Sequence, residues 1–393
     1  MTRAVVVGAG IVGAACAYFL SKAGLDVVVV DRLQAGSGTT SRGEGNLLLS
    51  DKEPGPELRL AQLSRSLWLE VGDQLGRDAL ELEEKGGLVV ASDPATLAEL
   101  GTFAESQAAA GVEVRASEGE DLHRLEPQLS RRLAGGVAYP EDMQLQPVLA
   151  TAELLHAARR SGAEIRIGPV ATGRGTDTAG ATTALRTDQG DIGADVIVNA
   201  TGTWGGQLSR LLGAEIPVLP RRGFILVTEP LPKMIRHKVY SADYVANVAS
   251  SHTGLETSCV IEGTRGGTVL IGASRERIGF DATLRPEVVR ELARRAIELF
   301  PFLSEVRLLR VYHGFRPYCP DHRPVIGQDT RAPGVYHACG HEGAGIGLAA
   351  ATGYLIAQQI TGSPLAPELA HDLAAFSPAR FHPGRLAEAG VTG

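Results

Sequence analysis

Three observations predict an α/β fold shared between two domains. The segment AVVVGAGIVGAACAYFLSKAGLDVVVVD, residues 4–31, reads as strand, glycine turn, helix and strand, the opening of a Rossmann-like dinucleotide-binding domain. The chain has 393 residues, more than one ordinary core accommodates, so a second domain is expected. A second glycine-rich turn, HACGHEGAGIGLAAATGYLIA at residues 337–357, leads into another apolar helix more than 300 residues later.

In the first segment, Ala4–Val7 is a β-branched strand, residues 14–23 carry a helix pattern that Gly24 ends, and Val27–Val30 is a second strand closed by Asp31. Gly8 permits the tight turn, Gly10 lets a pyrophosphate approach the backbone, and Gly13 lets helix and strand pack closely. The helix N-terminus offers free N–H groups and partial positive charge to phosphates. Asp31, 18 residues after Gly13, is placed to accept hydrogen bonds from a ribose and would repel the 2′-phosphate of NADP. The uncharged run from Ala4 to Ser21 also resembles a secretion or lipoprotein signal ending at Cys16, and approaches membrane length. The glycine spacing accounts for it better.

A classical NAD domain would continue with a second β-α unit. Instead residues 32–51, RLQAGSGTTSRGEGNLLLSD, form a long Gly/Ser/Thr-rich loop suited to a larger cofactor. NAD remains the alternative to FAD at this point. Further on, LRLAQLSRSLWLEVGDQL (58–75), PATLAELGTFAESQAAAG (94–111), PVLATAELLHAARR (147–160) and RPEVVRELARRAIELF (285–300) read as helices. GGLVVAS (86–92), EIRI (164–167), VIVN (196–199), GFILVTE (223–229) and TVLIGAS (268–274) read as strands. Ala200-Thr201-Gly202 is a small-residue turn suited to close approach of a ligand. In VYHGFRPYCPDHRPVIG, residues 311–327, three prolines suggest a strand passing into a structured loop. Arg316 there is a guanidinium able to hold a carboxylate with two parallel hydrogen bonds.

Net charge −7, with no long Lys/Arg run, argues against nucleic acid as a partner. Four scattered cysteines without a C-x-x-C pair give no metal or disulfide framework and suit reduced thiols and a cytoplasmic location.

VVVGAGIVGAACAYFL, SGTTSRGEGN, VNATGTW, GFRPYCPDHRPVIG and GHEGAGIGLAAATG stand in the order seen in the D-amino-acid oxidase/glycine oxidase family of FAD enzymes, a resemblance that spans about residues 3–362. The last two motifs look most like the D-amino-acid dehydrogenase group, with its D-hydroxyproline dehydrogenases, opine oxidase β subunits and hydrogen cyanide synthase subunits. The resemblance implies FAD in a Rossmann-like domain and a second, antiparallel β-sheet domain for substrate. The expected division is 1–85, 146–218 and 311–372 for FAD, 86–145 and 219–310 for substrate, and a loosely ordered tail at 373–393.

By the same resemblance, Ile11 and Val12 lie by the pyrophosphate and Asp31 and Arg32 by the adenosine. Thr39, Thr40, Glu44, Gly45 and Asn46 lie along the cofactor, Val170 meets the adenine through its backbone, and Ala200, Gly202 and Trp204 border it. The turn Gly340, His341, Glu342, Gly343, Ala344, Gly345, Ile346 brings N–H groups and a helix N-terminus to the pyrimidine end of the flavin. The catalytic candidates are Arg316, which clamps a substrate carboxylate, and His341. His313 is a further polar candidate, Glu44 and Glu342 are candidates to meet an amine, and Tyr240 and Tyr244 to supply a hydroxyl. Two departures are visible. Gly343 stands where glycine oxidases carry a second arginine, and Val260 stands near their carboxylate-binding tyrosine. The cysteine that anchors FAD in sarcosine oxidases falls at Gly314, with Cys319 out of register, so FAD is expected to be noncovalent.

The expected reaction is oxidation of a D-amino acid or a secondary amino acid by hydride transfer to flavin. Oxygen, a quinone or a partner flavoprotein would take the electrons, and homo- or hetero-oligomers are open. The alternatives are an electron-transfer subunit of a hetero-oligomeric amine dehydrogenase and an NAD-dependent dehydrogenase.

Overall fold

The computed structural model describes residues 1–244, 250–364, 369 and 371–381. It is organised by two large sheets. The first has six strands in the order Val325–Gln328, Val335–Cys339, Val196–Asn199, Arg3–Val7, Asp26–Asp31 and Glu164–Ile167. All neighbours run parallel except the antiparallel edge strand Val325–Gln328. The central strands are continuous valine and isoleucine runs, as a sheet covered on both faces requires. The segment that mimics an export signal is therefore interior: strand Arg3–Val7 and helix Ile11–Lys22 are almost wholly buried. No helix among the described residues is long and apolar enough to cross a membrane.

The second sheet has eight strands, in the order Leu308–Tyr318, Leu219–Thr228, Val269–Arg275, Glu256–Gly263, Lys238–Ser241, Gly87–Ala91, Gly135–Tyr139 and Arg115–Ser117. It is antiparallel except where Lys238–Ser241 runs parallel to Gly87–Ala91. The boundary expected at 311 falls inside Leu308–Tyr318, which pairs with Leu219–Thr228 through Tyr318. Pro317 lies within this strand rather than ending it, because the strand is at the sheet edge, where a missing N–H breaks no ladder. A three-stranded meander, Ala171–Thr176, Thr182–Thr187 and Gly190–Gly193, was not visible in the apolar pattern. The tail expected to be loose is held as far as residue 381: Phe376 and Phe381 are buried, and Arg380 pairs with Asp321. Residues 382–393 lie outside the described residues.

The helices that follow the two glycine turns, Ile11–Lys22 and Gly345–Thr361, pack directly on each other. A Cβ on Gly353 would sit 2.6 Å from the backbone carbonyl of Ala15 and 2.8 Å from the nitrogen of Cys16, so the helices touch backbone to backbone. Helix Pro56–Leu75 locks the second one: the buried Trp68 indole donates to the carbonyl oxygens of Ile346 and Gly347 at 3.1 and 3.2 Å. Gly353→Ala should therefore overpack the contact and cost about 1–3 kcal/mol, read as a lower denaturant midpoint. An unchanged midpoint would show that the helices can separate freely.

Candidate active site

The strand before the first turn ends at Val7, and Gly8 takes φ 114°, a left-handed conformation in which its missing Cβ avoids overlap with the Ala200 carbonyl. Gly13 packs on the same turn, where a Cβ would overlap the Gly8 carbonyl. Asp31 braces the turn: Oδ2 accepts from Ala9 N–H at 2.7 Å and Oδ1 from Leu33 N–H at 2.9 Å. The helix N-terminus has no side-chain cap at Gly10, but Thr40 Oγ1 accepts the Ile11 N–H at 3.0 Å. The loop after Asp31 thus folds back onto the first glycine turn.

A single cavity of about 340 Å³ runs from this turn to the second sheet. It is lined by Gly8, Gly10, Ile11 and Val12, by Asp31 and Arg32, and by Thr39, Thr40, Glu44 and Asn46. Val170, Ala200, Gly202 and Trp204 border it, as do His341, Glu342, Gly343, Gly345 and Ile346. Arg316 closes the sheet side. Four expected residues do not line it. Gly13 serves helix packing, Gly45 avoids overlap with the Leu145 carbonyl, Gly340 turns the chain at φ 78°, and Ala344 faces a neighbouring small pocket. The backbone contact expected of Val170 is narrowed, because its N–H donates to Asp188 Oδ1 and its carbonyl accepts the Asp188 N–H. His313 does not line the cavity; its ring packs on Phe224 and Phe315. Residues that sequence reasoning passed over include Arg42, Gln207, Gly223, Ile225 and Pro317.

On the sheet side, alternate residues of two paired strands face the cavity: Gly223 and Ile225 on one, Gly314 and Arg316 on the other, with Gly223 opposite Gly314. The guanidinium of Arg316 occupies the space that a Cβ on Gly223 would take, and Nη1 donates to the Ser274 carbonyl at 2.8 Å. No carboxylate pairs with it among the described residues. Burial, then the charge of Arg275, brings its pKa down to about 10, so it stays cationic at neutral pH. A Cβ on Gly343 would rest in ordinary contact with the Arg316 side chain, 3.7 Å from Nε.

The three lining carboxylates differ. Asp31 serves the first turn. Glu342 accepts from Arg221 at 2.9 Å and lies 3.3 Å from His322. Burial pushes its pKa up, but His322 and Arg221 outweigh that and hold it below the usual glutamate value. Glu44 is buried and its Oε1 has no hydrogen-bond partner, while Oε2 accepts only a long 3.3 Å bond from Asn46. Burial raises its pKa to about 7, with Lys238 opposing that shift.

His341 is buried, and its Nε2 meets Thr352 Oγ1 at 2.9 Å, whose hydroxyl donates to the Leu348 carbonyl. Nε2 is therefore the protonated nitrogen, and burial brings the pKa down to about 3, so the imidazole is neutral. Of the two tyrosines, Tyr244 lines the cavity, whereas Tyr240 is bonded to Ser50 at 2.5 Å and to Asp142. Val260 sits in the buried centre of strand Glu256–Gly263 and does not line the cavity.

A cavity that joins a phosphate-type glycine turn to the face of a second sheet, with a guanidinium waiting there, defines a two-domain flavin oxidoreductase. The chain belongs to the DAO family of FAD dependent oxidoreductases, whose pattern matches residues 3–359. It is 28% identical over 430 residues to the hydrogen cyanide synthase subunit HcnC of Pseudomonas aeruginosa, covering 96% of each chain. It is 29% identical over 427 residues to a D-amino acid dehydrogenase of Methylobacterium nodulans, covering 94% of this chain and 97% of the other. The crystal structure of glycine oxidase from Geobacillus kaustophilus superposes with TM-score 0.85 at 26% identity, over 97% of this chain and 100% of that one. FAD is thus the cofactor, and the NAD alternative falls. The residues present fit FAD: apart from the Ile11 N–H, which Thr40 takes, the first helix start carries no side-chain cap, and the second turn delivers another helix start to the same cavity.

Gly10→Val would set a branched side chain in the phosphate cradle, where even a Cβ lies 3.1 Å from Thr40 Oγ1. The expected product is soluble protein without flavin, checked by the visible spectrum; full flavin content would remove Gly10 from the cradle. At Gly314 a Cβ would lie 2.5 Å from the Cβ of Arg42, so no attachment cysteine fits there, and Cys319 is wholly buried outside the cavity. Acid precipitation should accordingly leave all flavin in the supernatant.

Proposed function

We propose that the protein oxidises an amino acid, either a D-amino acid or a secondary amino acid such as a proline analogue, glycine or sarcosine, by moving hydride from Cα to flavin N5 to give the imino acid. The observation that carries this reading is Arg316, a cation on the cavity wall with no carboxylate partner among the described residues. An α-carboxylate supplies that partner and fixes the substrate by two parallel bonds. The relatives named glycine oxidase and D-amino acid dehydrogenase act on substrates of this class.

The chain's part is positional. Gly8, Gly10, Ile11 and Val12 would hold the pyrophosphate, Asp31 and Arg32 the adenosine, and Gly343, Gly345 and Ile346 the pyrimidine end of the flavin. Bound FAD supplies the hydride acceptor. The start of helix Gly345–Thr361 favours negative charge at that end. Arg316 fixes one end of the substrate so that Cα–H points at the acceptor. Neutral His341 adds no charge and keeps the second turn in place through Thr352.

The likeness to a subunit of hydrogen cyanide synthase favours a second reading, a flavin subunit that works with other chains. Turnover of the purified protein alone with an artificial electron acceptor separates the two.

Arg316→Lys keeps the charge and loses the two-pronged contact. A charged hydrogen bond is worth about 1.5–3 kcal/mol, and misplacing Cα–H adds to that, so catalytic efficiency should fall by roughly two orders of magnitude. Flavin content should not change. Anaerobic bleaching over a substrate series is the measurement, and equal rates with carboxylated substrates would rule out the clamp.

A further inference from the structure

We propose that Glu44 binds the amino group of the substrate and takes a proton from it, so that the cavity recognises a zwitterion with Arg316 at one end and Glu44 at the other. This rests on the amino-acid oxidation proposed above and names the second anchor of that site.

Elimination among the cavity groups points to Glu44. Of the carboxylates lining the cavity, Asp31 is bonded to Ala9 and Leu33 at the far turn, and Glu342 is held by Arg221 and His322. Of these carboxylates only Glu44 has an oxygen, the buried Oε1, with no hydrogen-bond partner among the described residues, and the amide oxygen of its cavity-lining neighbour Asn46 is likewise unpartnered. The sheet makes room for this carboxylate, since a Cβ on Gly272 would sit 2.5 Å from Oε1. Its position is built from both domains. Thr39 Oγ1 donates to the Phe315 carbonyl at 2.8 Å, Tyr312 OH to the Gly43 carbonyl at 3.3 Å, and Gly45 N–H to Glu262 at 3.2 Å.

The groups around Glu44 leave it the proton-accepting role. Lys238 and Glu262 act on it with opposite sign and are ion-paired with each other. Arg316 attracts its charge, and Asn46 donates the one long bond. Tyr244, Tyr312 and Cys259, which also feel Glu44, are all raised by burial and stay neutral. An ammonium in the cavity would supply the donor that this carboxylate lacks. The step is one proton transfer: an N–H bond of the ammonium breaks, an O–H bond forms on Glu44, and the nitrogen keeps its electron pair for the C=N bond formed as hydride leaves Cα.

The raised Glu44, near 7, sets the direction of the pH effect. Below that pH the carboxyl is already protonated and accepts nothing, so catalytic efficiency of the parent falls by about tenfold per unit on the acid side. The test uses flavin-loaded parent, Glu44→Gln and Glu44→Asp. Anaerobic bleaching by amino acids is followed over roughly pH 6 to 9. Simple carboxylic acids without an amine are titrated against the flavin spectrum. Glu44→Gln should raise KM for amino acids by about tenfold or more and move the acid limb towards the ammonium pKa of the substrate itself. It should bind the amine-free acids as the parent does. Glu44→Asp should recover part of the parent profile. A Gln variant with the parent's KM and pH profile overturns the assignment alone. A parent whose flavin no amino acid reduces overturns the amino-acid reading, and the amine assignment with it.

Discussion

The site depends on one backbone contact, Gly353 of the second helix against Ala15 and Cys16 of the first. Each helix begins at a glycine turn, and each turn borders the same cavity. Because the helices meet without intervening side chains, the spacing between the two turns is a property of the main chain and not of rotamers. Trp68 extends this by tying the first carbonyls of the second helix to a third helix. On the proposed placement of the cofactor, with one end at each turn, this contact sets the distance between the two ends.

Charge is handled by subtraction of side chains. On the sheet facing the cavity, Gly223 makes space for Arg316 and Gly272 makes space for Glu44. Both ionisable groups lie in confined surroundings, where burial disfavours their charged forms and drives Arg316 down and Glu44 up. A ligand with both charges would restore what burial opposes in each. Elsewhere the structure pairs its buried charges: Lys238 with Glu262, Arg222 with Glu276, Arg221 with Glu256 and Glu342. Against that background Arg316 has no carboxylate partner among the described residues, and Oε1 of Glu44 has no hydrogen-bond partner.

Much of this was legible because it is local. The first turn carries its own strand, helix and acid within residues 4–31, and the helices and long strands follow from apolar period. What escaped depends on distant neighbours. Nothing near Glu44 or Glu342 in sequence shows that Arg221 and His322 occupy one of them and leave the other open. Tyr244 and Tyr240 look equivalent until Ser50 and Asp142 are seen to hold the latter. Gly45 reads as a ligand contact, whereas the Leu145 carbonyl, 100 residues on, is what excludes a side chain there. The meander at 171–193 was hidden because few of its strand residues are buried, so no apolar run marks them. The strand through residue 311 reads past its expected end because only the sheet order reveals it as an edge.

The order of strands in the parallel sheet has a consequence for biosynthesis. Strand Arg3–Val7 pairs with Asp26–Asp31 on one side but must wait for Val196–Asn199 on the other, and that strand waits in turn for Val335–Cys339. While the ribosome is making the intervening residues, a largely apolar strand leaves the exit tunnel with one edge unpaired. Loop closure over such distances is slow, and unpaired edges invite wrong partners. The antiparallel strands of the second sheet emerge in that interval and can collapse first. A chain stopped before Gly340 thus has neither the second glycine turn nor the helix contact that fixes its distance from the first.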